Sequence, residues 1–179
     1  MKEHLFLQGR HLDLRAVEPE DLDFMYDVEN DPDCWNVSDL TAPYSRFALR
    51  QYIESTQCDV YADRQLRLMA VERATGLVVG TVDISDFSPR HARGEVGILI
   101  HHGHRRQGYA REALELLCDY AFRFLSFHQL VARIPSDHEA SLHLFRSCGF
   151  VECGLLKEWW HMGNTFKDVV LMQRLAHQK

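Results

Sequence analysis

The sequence predicts an α/β (α+β) fold: a mostly antiparallel mixed sheet of about seven strands flanked by four helices, in the order βααβββαβαββ. Three observations predict it. Apolar residues recur at helical spacing between Tyr109 and Phe124, short β-rich runs flank Ala74-Thr75-Gly76, and one strand–helix–strand unit precedes two closing strands. A lone unit of that kind inside an antiparallel sheet gives an α/β sandwich open on one side.

Taken in order, Leu12 to Val17 reads as a first strand. Pro19 opens a helix, because its fixed φ suits the first helical position, where its missing N–H is not needed. Leu22, Met25 and Tyr26 fall at i, i+3 and i+4 and should face inward, with the acids on the other face. Ser45 is placed to cap a second helix with Phe47, Ala48, Tyr52 and Ile53 inward. Arg67 to Arg73 and Leu77 to Asp86 form a hairpin, and Gly94 to His101 adds a third antiparallel strand after a polar turn at Pro89.

The next helix is the best defined. Ala113, Leu114, Leu117, Ala121 and Phe124 lie +3, +4, +7, +11 and +14 from Ala110, which fits a helix and no strand. His128 to Ile134 is a strand, Asp137 to Ser147 a helix stopped by Gly149, and Phe150 to Trp159 and Phe166 to Arg174 are the closing strands.

With 179 residues, 46% hydrophobic and 26% charged, the chain has the size and composition of one domain over 1–179, and no linker or repeat divides it. No apolar run approaches the roughly 18 residues of a membrane span, and the start lacks a signal-peptide layout, so a soluble, cytoplasmic protein without a membrane partner is expected. The cysteines (Cys34, Cys58, Cys118, Cys148, Cys153) form no C-x-x-C pair and read as packing residues in a reduced compartment. A net charge of −6 argues against nucleic acid and suits a cationic substrate. Between Glu18 and Asp33 lie eight carboxylates (Glu18, Glu20, Asp21, Asp23, Asp27, Glu29, Asp31, Asp33) and no Lys or Arg. They read as a solvated helix face or, more sharply, as a collar for polycations.

The chemistry gathers where the third middle strand meets the long helix, from Glu95 through His101-His-Gly-His-Arg105-Arg-Gln-Gly108-Tyr-Ala110. A turn carrying Arg-x-x-Gly-x-Ala into a helix N-terminus sets free backbone N–H groups and the positive dipole end around one spot, which suits a phosphate. Gly108 serves the tight turn and the close approach of a pyrophosphate, and Ala110 keeps the first turn thin. Neither a Walker A loop nor a G-x-G-x-x-G fingerprint is present.

On this loop the sequence resembles the GNAT superfamily of acetyltransferases, whose pyrophosphate loop Gln/Arg-x-x-Gly-x-Gly/Ala is matched from Arg105 to Ala110. Ala140 to Phe150 resembles the family's later helix, Asn-x-x-Ser-x-x-Leu-Tyr-x-x-x-Gly-Phe. Within the superfamily, Gly80 to Glu95 is similar to spermidine N-acetyltransferases, with acids at Asp83, Asp86 and Glu95. The tail from Glu152 to Asp168 is similar both to these and to enzymes that acetylate ribosomal protein N-termini. The resemblance implies acetyl-CoA as cosubstrate, held by Ile98, Leu99, Ile100, Arg105, Arg106, Gln107, Gly108, Tyr109, Ala110, His138 and Ser141, and a primary amine as acceptor. Two residues depart from it: His138 replaces an Asn that helps hold the cofactor, and Phe145 replaces a Tyr that acts as general acid. Ser45 to Arg50 lacks the acids that polyamine-sensing enzymes carry in their second helix.

Residue chemistry gives an independent reading. If Glu95, Gly97 and Leu99 share one side of their strand, a splay beside it frees N–H groups from Gly97 to Ile100 to hold a pantetheine arm and polarise a thioester. An alkylammonium with a pKa near 10 must lose its proton before attack, so Glu95 serves as base through water or simply binds the ammonium, with Asp86 anchoring a second amine. Ser141, one turn before Phe145, is the alternative donor to the departing sulfur. His101, His102 and His104 read as loop histidines near phosphates, with no metal required. Trp159 and Trp160 are adjacent on a strand, so one should face the core and the other a groove or the partner surface of a homo-oligomer. A non-catalytic acetyl-CoA-binding module is the reading that His138 and Phe145 would favour.

Overall fold

The computed structural model describes residues 6–32 and 41–177. The strands are β1 (Leu12–Ala16), β2 (Leu66–Glu72), β3 (Val78–Ser88), β4 (Arg93–Ile100), β5 (Gln129–Pro135), β6 (Val151–Met162) and β7 (Thr165–Leu175). They form one 7-stranded sheet in the order β1-β2-β3-β4-β5-β7-β6. Among the described residues only β4 and β5 run parallel, as expected where a helix crosses over between them. The helices are α1 (Leu22–Glu29), α2 (Arg46–Ser55), α3 (Val60–Asp63), α4 (Tyr109–Asp119) and α5 (Glu139–Ser147). α3 is a single turn that the sequence reading omits; Asp59 caps it, accepting from the Tyr61 N–H at 2.8 Å. Cys34 and Asp33 lie outside the described residues.

Alternation along β2 divides the interior. Leu66, Leu68 and Ala70 join Ala113, Leu114 and Leu117 of α4 and Leu142 and Phe145 of α5 in the main core. Met69, between them, points the other way and packs with Val17, Met25, Leu49 and Ile53 under α1 and α2. Those two helices therefore cover part of the face that the sequence leaves open. Among the described residues no helix is long and apolar enough to cross a membrane.

Three inward assignments change. In α2 the buried stripe is Leu49, Ile53 and the half-buried Tyr52, whereas Phe47 is 67% exposed and Ala48 is exposed. Leu49, Tyr52 and Ile53 make an i, i+3, i+4 set of their own, and Met69 meets that set. After α4 the chain continues as a π-helical turn, Tyr120–Phe124, whose wider winding breaks the helical phase and leaves Phe124 59% exposed. Cys118 and Cys148 are buried as packing residues, and burial pushes the Cys118 thiol up to about 12, but Cys153 is exposed.

The acidic run is partly neutralised from within. Asp21 is buried, accepts from Arg15 at 2.7 and 2.8 Å, and takes the Glu18 N–H at 2.8 Å. Asp23 pairs with Arg46, and Glu29 with Arg67.

Glu112 ties the N-terminal segment to α4. It accepts the His11 and Leu12 N–H groups at 2.7 and 3.2 Å and meets His11 Nδ1 at 2.9 Å. Burial alone would raise its carboxyl, but the His11 donors and the other backbone N–H groups outweigh that and hold it below the ordinary range. A depressed carboxyl contributes stability above its unfolded pKa and loses it as the pH falls through its folded one. Glu112→Ala should therefore cost about 1–3 kcal/mol at neutral pH in denaturant melts. Its gap to the parent should close as the pH falls below about 4. A gap that does not vary with pH would refute this role.

Candidate functional site

Two parallel strands part at the centre of the sheet. β4 and β5 pair only through Arg93↔Gln129, Gly94↔Leu130 and Glu95↔Val131, although β4 runs on to Ile100 and β5 to Pro135. Beyond Glu95, backbone groups on the β5 side of β4 have no strand partner and face the gap. The gap opens into a cavity of about 850 Å³, walled by Val96 to Ile100, Ala132 to Pro135, α5 and the strand residues Trp160 and Met162. That volume suits a sizeable ligand.

At one end of the cavity stands the loop from β4 to α4. His102–His104 make a 3-10 turn, Arg106 and Gly108 take left-handed backbone (φ 63 and 85), and α4 starts at Tyr109. The first N–H groups of α4 have no partner within the helix, and the dipole end adds positive potential. A Cβ on Gly108 would meet no protein atom within 4 Å. Packing does not require the glycine; its positive φ does. The open space outside it leaves a cradle that fits a pyrophosphate.

Of the residues singled out by sequence, Ile98, Leu99, Ile100, Arg105, Arg106, Gly108, Tyr109, Ala110, His138, Ser141 and Phe145 line this cavity. Gln107 does not; it borders a shallower groove with Gly9, His11 and Glu112. Arg105 Nε donates to the Ile100 carbonyl at 3.1 Å, tying the loop back to the end of β4. The Tyr109 hydroxyl donates to Glu72. His138 caps α5, its Nδ1 accepting the Ser141 N–H at 3.1 Å. In the neutral ring the proton then sits on Nε2. Phe145 is buried, edge-on to Phe150 at 5.0 Å between centroids.

The predicted acids lie beside the cavity rather than in it, and each meets an arginine. Both Glu95 oxygens accept from Arg133 Nε, at 2.8 and 2.9 Å. Asp83, register partner of Gly97, accepts from Arg67 Nε at 2.6 Å. Asp86, exposed with φ 45, stands 3.8 Å from Arg93. Sequence reasoning missed Arg67 and Arg133, since nothing local marks one arginine among many as the partner of a distant acid. Trp160 is half-buried and lines the cavity, while Trp159 is 51% exposed.

The rings of His101 and His102 lie 4.1 Å apart, and those of His101 and His104 6.0 Å. Burial first, then the charges of His102 and His104, lower the His101 pKa. Among the described residues no group of three or more His, Cys, Asp or Glu could hold a metal ion.

Residues 11–151 match the family model of the acetyltransferase (GNAT) domain. The chain is 28% identical over 161 residues to the spermidine N(1)-acetyltransferase of Vibrio cholerae serotype O1, covering 90% of this chain and 91% of that one. It resembles the crystal structure of spermidine N-acetyltransferase from Vibrio cholerae in complex with CoA and spermine, with a TM-score of 0.84 and 25% identity over 95% of this chain and 98% of that chain. The dodecameric structure of the Vibrio cholerae enzyme in an intermediate state matches with a TM-score of 0.80 and 25% identity, over 94% of this chain and 95% of that chain. Since the family match spans the parted strands and the very loop whose residues suit a phosphate, this chain belongs to the GNAT acetyltransferases and is an acetyl-CoA-dependent N-acetyltransferase.

Proposed function

We propose that the acceptor is a cationic primary amine of the polyamine class, such as spermidine. The observation that carries this reading is the set of carboxylates on two adjacent strands, Asp83 and Asp86 on β3 and Glu95 at the last position of β4 that pairs with β5. Each pairs with an arginine, but in a chain of net charge −6 the surroundings still suit an ammonium better than a neutral or anionic acceptor. The names of the Vibrio cholerae relatives support the same class.

In the proposed reaction the Arg105 to Ala110 loop holds the pyrophosphate, with Ile98, Leu99, Ile100, His138 and Ser141 along the pantetheine arm. Bound acetyl-CoA supplies the thioester. Free N–H groups of β4 beyond Glu95 polarise its carbonyl. Glu95, fixed by Arg133, binds the ammonium and takes its proton through water. Water, or the Ser141 hydroxyl on the cavity wall one turn before Phe145, gives a proton to the departing sulfur. No metal enters this scheme.

The chain is further proposed to act as one domain, in the cytoplasm, as a homo-oligomer. Exposed Val151, Leu155 and Trp159 on the edge strand β6, with Phe166 of β7, support an assembly surface.

Thiol release on mixing acetyl-CoA with a panel of amines tests the acceptor. Spermidine or spermine should show a lower KM than a neutral-tailed monoamine, and that KM should rise as salt screens the attraction. A clear preference for a peptide N-terminus would overturn the polyamine assignment.

A further inference from the structure

Asp83 is where an ammonium could be read, and the chain already sets a cation there. Arg67 reaches across from β2, donating from Nε to Asp83 Oδ1 at 2.6 Å and from a terminal nitrogen to Glu29 of α1. Its guanidinium carbon lies 6.0 Å from the Tyr52 ring centre. All three charged side chains are mostly buried, exposed by 23%, 25% and 19% for Arg67, Asp83 and Glu29. Burial would lower the Arg67 pKa, but the charges of Asp83 and Glu29 outweigh it and keep the guanidinium charged.

The second oxygen of Asp83 lies close to Gly97. Gly97, across from Asp83 in the β3–β4 register, lines the cavity. A Cβ on Gly97 would lie 3.6 Å from Asp83 Cβ and 3.8 Å from Oδ2. Gly97 thus sets no side chain of its own beside the carboxylate.

We propose that Arg67 is a specificity-determining residue: a built-in guanidinium, held by Asp83 and Glu29, that a polycationic acceptor must displace before its second ammonium can be read. The inference rests on the reading of the acceptor as a cationic amine. It predicts that the protein discriminates between long polyamines and short amines through the strength of this internal pair, since an ammonium and a guanidinium compete for the same two carboxylates.

The test compares the parent, Arg67→Lys, Arg67→Met and Arg67→Met/Asp83→Asn, with spermidine and propylamine as probes. Arg67→Met leaves two poorly hydrated carboxylates without their cation and should melt lower. Spermidine should then raise its Tm more than it raises the parent's, and the substitution should lower the spermidine KM by about tenfold or more relative to that for propylamine. Arg67→Lys keeps the charge but lacks the planar fork, and should lie between. The double variant should lose the extra response. Should Arg67→Met fail to fold alone, recovery on adding spermidine supports the proposal, and Arg67→Lys carries the measurement if it does not recover. Equal spermidine responses in the parent and every folded Arg67 variant overturn it. Failure of the polyamine reading is distinguishable: spermidine would not turn over in any protein, while the melts would still report whether Glu29 and Asp83 take up an ammonium.

Discussion

Acetyl-CoA should raise the Tm of the parent protein and leave that of Gly108→Val unchanged. Ligand bound only to the native state stabilises it by mass action, by about 2.7 kcal/mol at a hundredfold excess over Kd, and this whole increment is at stake. The variant loses it for two reasons. Gly108 sits at φ 85, a conformation that a β-branched residue adopts only under strain. Its Cβ would also project into the space where no protein atom lies within 4 Å, which is the space a pyrophosphate needs. Because nothing in the fold fills that space, the variant should remain folded, with a stability loss of about 1–3 kcal/mol from backbone strain. An undiminished shift in a folded Gly108→Val protein would remove the loop from the cofactor site.

Phe145→Tyr should raise kcat with little change in the KM for acetyl-CoA. The departing sulfur needs a proton or stabilisation as thiolate, and Phe145 supplies neither, though it lines the cavity. A coenzyme A thiol is not a poor leaving group, so the missing acid slows the reaction rather than stopping it, by at most about 10²–10⁴-fold. Phe145 is buried against Phe150, so the new hydroxyl must point into the cavity to avoid the cost of an unpartnered polar group. Ser141→Ala separates the alternatives. If it lowers kcat sharply while Phe145→Tyr changes nothing, the donor is Ser141. If both variants match the parent, water protonates the sulfur and no side-chain acid belongs in the mechanism.

The sequence by itself determined the parts of this protein that are local. The β2–β3 hairpin needs only a short turn, which closes with the Gly76 N–H donating to Glu72 at 2.8 Å. The loop proposed to cradle a phosphate needs only a strand end, a residue free to adopt positive φ and a helix start, all close to Arg105 to Ala110. α4 announces itself through its spacing, because the stripe that it buries repeats with the helix.

What the tertiary structure decided is which distant groups meet. Helical period alone could not choose between Phe47 and Leu49 as the inward residue of α2; Met69, presented from β2, chose Leu49. A splay freeing the N–H groups from Gly97 to Ile100 is expected from the sequence, but where β4 parts from β5, just after Glu95, is a property of the two strands together. The acids were legible as acids, but their partners were not. Arg133 stands 38 positions from Glu95, and Arg67 stands 16 from Asp83 and 38 from Glu29. An ion pair carries no spacing rule of its own: the charges meet because the sheet register brings them together, and that register is set by the pairing of whole strands.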